Sequence, residues 1–189
     1  MKLRRGFIKE AEEYALEFRE ELGLDKYCPM PSLELAKHLE IPVFRISDLP
    51  NLAPNYAARV VGDSGSSFFG AVIPDGSFRA VVHNNFVSFK RQNADVMHEL
   101  SHIILGHPVY PSIGKDGKRV YNSVHELEAK DLSYTLMIPK CIALKIVESE
   151  QHLHVASTEY QTSPDAIEYR IRKSDARRWA ANRQLKQYA

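Results

Sequence analysis

Cysteine is scarce in this chain. Only Cys28 and Cys141 occur, far apart and outside any Cys-x-x-Cys pair, which excludes a disulfide framework and a thiolate zinc finger. A reduced compartment fits such a chain best. Long hydrophobic runs are also missing, since no stretch approaches the roughly 20 apolar residues a membrane-spanning helix needs. The basic start Met1-Lys2-Leu3-Arg4-Arg5 passes through Phe7-Ile8 into acidic residues, so no apolar signal core develops and a cytoplasmic location is expected. Net charge is nearly absent as well: 25 Lys and Arg face 24 Asp and Glu, giving +1 at pH 7 and no polyelectrolyte signature for the whole protein. There is no internal repeat and no low-complexity tract.

What charge there is divides unevenly. Ile8 to Leu22 carries six Glu against Lys9 and Arg19, whereas Arg170 to Ala189 carries seven Lys or Arg against Asp175. Such runs are most simply solvated helix faces. With 189 residues, 44% of them hydrophobic, the chain is long enough for one full core and a small second lobe.

The chemistry is concentrated in Val96-Met97-His98-Glu99-Leu100-Ser101-His102-Ile103-Ile104-Leu105. Residues four apart on a helix lie about 40° apart around its axis and about 6 Å along it, so His98 and His102 present both imidazoles to one point. Glu99 lies about 100° further round, where a carboxylate reaches a metal-activated water without coordinating the metal. This is the placement of a general base beside two zinc ligands. Apolar neighbours make the stretch a buried helix, and buried imidazoles need partners. Gly106 and Pro108 supply its stop.

Around this helix the pattern reads as follows. Phe7, Ala11, Tyr14, Ala15, Phe18 and Leu22 fall on a helical period closed by Gly23. Ser32 begins a second helix over Leu33, Leu35, Ala36 and Leu39, and the short apolar run 43–46 follows Pro42. Ser47 to Asn55 reads as a loop. Three β-like runs at 58–61, 68–73 and 78–82, separated by turn formers of hairpin length, predict a small antiparallel sheet. The metal-site helix is expected from near Ser88 to Leu105. Prolines and glycines between His107 and Asn122 exclude regular helix there. Helix resumes at Ser123, which matches a capping box with Glu126, and stops at Pro139.

Two imidazoles hold zinc weakly, so a third protein ligand beside an open water position is expected. A Gly seven and a His ten positions after His98 would be one solution, but Leu105 and Pro108 stand there. His107 lies beyond the helix stop. The other solution is a Glu on the following helix, and Glu126 and Glu128 lie 24 and 26 residues past His102. Spacing leaves both open. The bland reading makes Glu126 only a capping-box partner and Glu128 only a solvated residue, with His125 at the surface or behind the ligands.

Arg91 ahead of the HELSH helix, then Glu126-Leu127-Glu128-Ala129 running into Leu136-Met137-Ile138-Pro139, resembles the ImmA/IrrE family of metallo-endopeptidases. Leu35-Ala36-Lys37-His38-Leu39-Glu40-Ile41-Pro42-Val43 agrees in order, and the resemblance covers about residues 7–172. It implies that Glu126, thirteen residues before Pro139, is the third zinc ligand and Glu128 the runner-up. Lys130 stands where the family usually has Asn or Asp, and Leu132 and Tyr134 replace its Phe and Ala. These departures bear on packing around the ligands, and Asp131 is a candidate replacement carboxylate. The resemblance further implies a zinc protease that cuts a helix-turn-helix transcriptional repressor, switching on a mobile-element or stress-response operon. No helix-turn-helix domain is expected ahead of the core, so the repressor is expected to be a separate protein.

The fold expected is α+β: a minimal zincin-like core over residues 1–140, with a small antiparallel sheet, the HExxH helix and a following Glu-bearing helix, then a helical C-terminal extension over 141–189. Within the extension, Ala156 to Ile171 resembles a helix-turn-helix, with Ser163 as N-cap and Ala166, Ile167 and Ile171 apolar. Asp165 and Glu168 oppose phosphate, which favours an ordinary helical hairpin over direct DNA binding. Arg170, Arg172, Lys173, Arg177 and Arg178 are expected instead to steer a protein partner. The rival function, a non-catalytic repressor- or DNA-binding regulator stapled by a structural metal, leaves Glu99 without a use.

Overall fold

The computed structural model describes residues 2–48, 69–75, 78–109 and 122–187. The architecture is α+β, as the pattern of the sequence predicts: among the described residues eight α-helices accompany a three-stranded mixed sheet. Contacts group the chain into two compact units, Met1–Leu3 with Ser32–Ser133, and Arg4–Pro31 with Tyr134–Ala189.

In the first unit, α2 (Ser32–His38) leads into β1 (Val43–Arg45) and a 3-10 turn, Ile46–Asp48. The hairpin strands are β2 (Gly70–Asp75) and β3 (Phe78–His83). β2 and β3 pair antiparallel with Val72 opposite Val81, whereas β1 joins the other side of β3 in parallel, Val43 opposite Val81. The expected antiparallel hairpin is present, and a parallel pair is added to it. The run Val43 to Ile46 has no turn tying it to the hairpin, so its direction was not legible from spacing. The β-like run at 58–61 and most of the loop at 47–55 lie outside the described residues. Val81 and Val82 are buried where β3 runs between its two neighbours.

Against this sheet packs α3 (Phe89–Ile104), with Ser88 as its N-cap residue. Val96, Met97 and Leu100 form its buried face. Asn93 is buried on it as well, and its side-chain oxygen accepts the Ser32 backbone N–H at 2.9 Å, satisfying a donor that the first turn of α2 leaves over. The C-terminus of α3 is capped by Gly106 in the left-handed region, φ +65°. There the Gly106 N–H donates to the Ile103 carbonyl and the His107 N–H to the His102 carbonyl.

α4 (Ser123–Met137) starts differently from the capping box the sequence suggests. Asn122 is the cap: its side-chain oxygen accepts the Val124 N–H at 2.9 Å and the His125 N–H at 3.4 Å. Asn122 is as good a cap as Ser123 and stands one residue earlier. Asn122 thereby takes the capping role that the sequence assigned to Ser123 with Glu126.

The second unit begins with α1 (Phe7–Glu21), whose Phe7, Ala11, Ala15 and Phe18 are buried as their period requires. It continues through the C-terminal end of α4 into α5 (Lys140–Glu148), α6 (Leu153–Glu159), α7 (Pro164–Lys173) and α8 (Ala176–Gln187). Two arginines that look like surface residues in the sequence are interior. Arg19 donates to the carbonyls of Ala15, Cys28 and Met137, and burial lowers its pKa to about 10. Arg170 is fully buried, donating to the Glu12 carboxylate and, at 2.9 Å, to the Ile138 carbonyl. Glu12 also accepts the Lys140 N–H at the start of α5, at 2.9 Å.

Arg170 is therefore withdrawn from the proposed steering surface, because its guanidinium closes a buried ion pair. Arg177 and Arg178 are exposed but already matched, to Glu168 and Asp175. Ser163 caps α7 as expected, accepting the Ala166 N–H at 3.2 Å. Cutting a buried pair at one partner strands the other charge. Arg170→Ala is thus expected to lower unfolding stability by about 3–5 kcal/mol, whereas the exposed Arg177→Ala changes it by less than about 1 kcal/mol. Urea unfolding of both variants checks this, and similar losses for the two contradict it.

Candidate metal centre

α3 and α4 bring together three of the residues singled out from the sequence. His98 and His102, one turn apart on α3, present their Nε2 atoms to each other at 3.2 Å. Glu126, in the first turn of α4, places Oε2 3.3 Å from His98 Nε2 and Oε1 3.8 Å from His102 Nε2. One donor atom from each residue lies within 4.8 Å of the other two.

The donor set fits a tetrahedral cation. Ligands about 2.05 Å from a tetrahedral zinc stand roughly 3.3 Å from one another, which matches the 3.2 and 3.3 Å separations. Two imidazole lone pairs facing each other at such a distance repel unless a proton or a cation lies between them. The carboxylate beside them supplies charge balance. Hydrogen bonding from His102 and His98 holds Glu126 far below the usual carboxylate range.

Glu128 takes another place. It is buried, and its Oε2 lies 3.3 Å from Nε2 of His107. Nδ1 of His107 in turn lies 3.0 Å from Nδ1 of His102. His107 is not in the three-residue cluster but directly behind one member of it. Burial, then the neighbouring His102 and His125, push its pKa down to about 4, so it is neutral at physiological pH. The His125 ring stacks on His107 with centroids 4.2 Å apart, a position behind the cluster of the kind the sequence left open.

Glu99 follows His98 on α3 and is half-buried. Its side chain lies against the first residue of β2: a Cβ at Gly70 would meet Glu99 Cγ at 3.1 Å and Oε1 at 3.4 Å. Sequence reasoning passed over Gly70, although a Gly inside an otherwise β-branched and aromatic run signals close approach. Arg91, ahead of the motif, bonds Asp95 at 2.9 Å and covers the Phe69 ring at 4.2 Å. It braces the start of α3. Among the described residues no helix is long and apolar enough to cross a membrane.

A comparison with curated proteins finds no match. Residues 36–172 match the Peptidase_M78 family, described as the IrrE N-terminal-like domain. That span includes both helices that bear the His-His-Glu cluster and the whole described sheet. The chain belongs to the Peptidase_M78 family, and its function is of the metallopeptidase type.

Proposed function

We propose that the protein is a zinc-dependent endopeptidase with His98, His102 and Glu126 as metal ligands and Glu99 as general base. The convergence of two imidazoles and one carboxylate on a single point is the observation that carries this reading. Among the described residues the cluster offers three donors, where a closed structural zinc site uses four. Zinc bound there supplies Lewis acidity, which acidifies water and polarises a carbonyl.

The chain's own groups do the rest. Glu99 accepts a proton from the attacking water and returns it to the leaving amine. Gly70 leaves the space in which the Glu99 carboxylate sits. An edge of such a sheet can hydrogen-bond an extended peptide beside the metal site. The substrate proposed is a separate helix-turn-helix repressor, whose cleavage would switch on a mobile-element or stress-response operon. Support for that substrate is the family resemblance, and the protein would meet it in the cytoplasm.

Metal analysis is expected to find one zinc per chain, lost in His98→Ala and Glu126→Gln and retained at saturating zinc in Glu128→Gln. Loss in Glu128→Gln with retention in Glu126→Gln would reverse the two carboxylates. Co-incubation with the product of a neighbouring repressor gene, with and without chelator, tests the substrate. No chelator-sensitive cleavage would reject it.

Glu99→Gln is expected to keep zinc while lowering peptide cleavage at least about 100-fold, since Gln cannot accept the proton. Substantial residual cleavage by the zinc-loaded variant would remove the general-base role. Gly70→Val should also keep zinc and melt within a few degrees of the unsubstituted protein, while displacing Glu99 and losing roughly 100-fold in kcat. Unchanged kcat there would show that Glu99 works from another position.

A further inference from the structure

We propose that His107 and Glu128 form an outer relay that fixes the tautomer and orientation of His102 and strengthens it as a metal ligand. The inference rests on the ligand set proposed above. His102 turns Nε2 toward His98 and Glu126, so its remaining hydrogen lies on Nδ1, the atom 3.0 Å from His107 Nδ1. For His107 Nδ1 to accept that hydrogen, the ring must carry its own on Nε2. That atom faces Glu128 Oε2 at 3.3 Å, and a carboxylate accepts. Each proton position follows from the one before, and the chain ends on a negative charge. An imidazole ligand whose other nitrogen donates toward a carboxylate is a better electron donor and loses less freedom on binding. Here a second imidazole stands between the two.

The fold delivers His107 to this position by backbone means. Gly106, in the left-handed region, turns the chain so that the His107 N–H bonds the His102 carbonyl at 2.9 Å. Apolar side chains usually meet across such a cap, and here two imidazoles do. Arg79 of β3 holds the His107 carbonyl at 3.1 Å, and the His125 ring covers one face. Both His107 and Glu128 are buried, at 6% and 7% exposure. Burial of polar groups is costly unless they are hydrogen-bonded, and His102 and His107 supply those partners here.

Zinc affinity of the full-length chain, measured by competition with a chromophoric chelator, tests the relay. His107→Phe keeps the ring volume and the stack on His125, and should weaken zinc binding toward 100-fold. Glu128→Gln keeps an acceptor without its charge and should weaken it about tenfold. Both should still bind one zinc at saturation. The double variant should be no weaker than His107→Phe alone, because Glu128 acts through His107. Nitrogen-15 spectra of the zinc-loaded protein should show His102 protonated on Nδ1 and His107 on Nε2, a signature that packing alone does not produce. If His107→Phe fails to fold, Glu128→Gln and the spectra decide. Affinities within twofold of the unsubstituted protein, in variants alongside a His98→Ala control that has lost zinc, overturn the relay alone. Zinc retained by His98→Ala overturns the ligand set and the relay with it.

Discussion

Two imidazole nitrogens and a carboxylate, each with a donor atom within 4.8 Å of the others, form the constraint around which the first unit is arranged. Such a cluster is unfavourable unless something positive joins it, so the elements bearing it must be held from behind. α3 supplies the imidazoles from a helix whose opposite face is buried through Val96, Met97 and Leu100. α4 supplies Glu126 from its first turn, where the helix dipole favours a carboxylate. Capping by Asn122 leaves that carboxylate available for a ligand role.

Much of this was legible in the sequence because it is local. The His-Glu-x-x-His spacing puts two imidazoles on one helix face whatever the rest of the chain does, and the C-terminal helix limit at Gly106 follows from cap chemistry. Both hairpin strands were also readable from their β-like runs and the turn formers between them. Glu126 was separable from Glu128 only by family resemblance, since residues two apart on a helix point in different directions and spacing does not say which faces α3. The structure gives each a place: Glu126 facing the imidazoles, Glu128 facing His107.

What escaped the sequence depends on contacts between distant residues. Arg170 sits in a basic run and reads as a surface charge, yet Glu12, from the other end of the chain, draws it inside. Gly70 owes its importance to Glu99, a neighbour in space through the packing of α3 on the sheet. His107 was discounted because it lies past the helix stop. That stop is what folds it back: a left-handed Gly106 reverses the chain by one turn and returns the next residue to the end of the helix. A His immediately after a helix-capping Gly, five residues beyond the second His of the motif, is the signal that was available.

The central claim is a metal held by two imidazoles and one carboxylate, with His107 behind them. X-ray absorption at the zinc edge of the metal-loaded protein tests it most directly. The predicted result is a first shell of nitrogen and oxygen at about 2.0–2.1 Å, with outer-shell scattering from two imidazoles. Sulfur at about 2.3 Å, or scattering from a third imidazole, would contradict it.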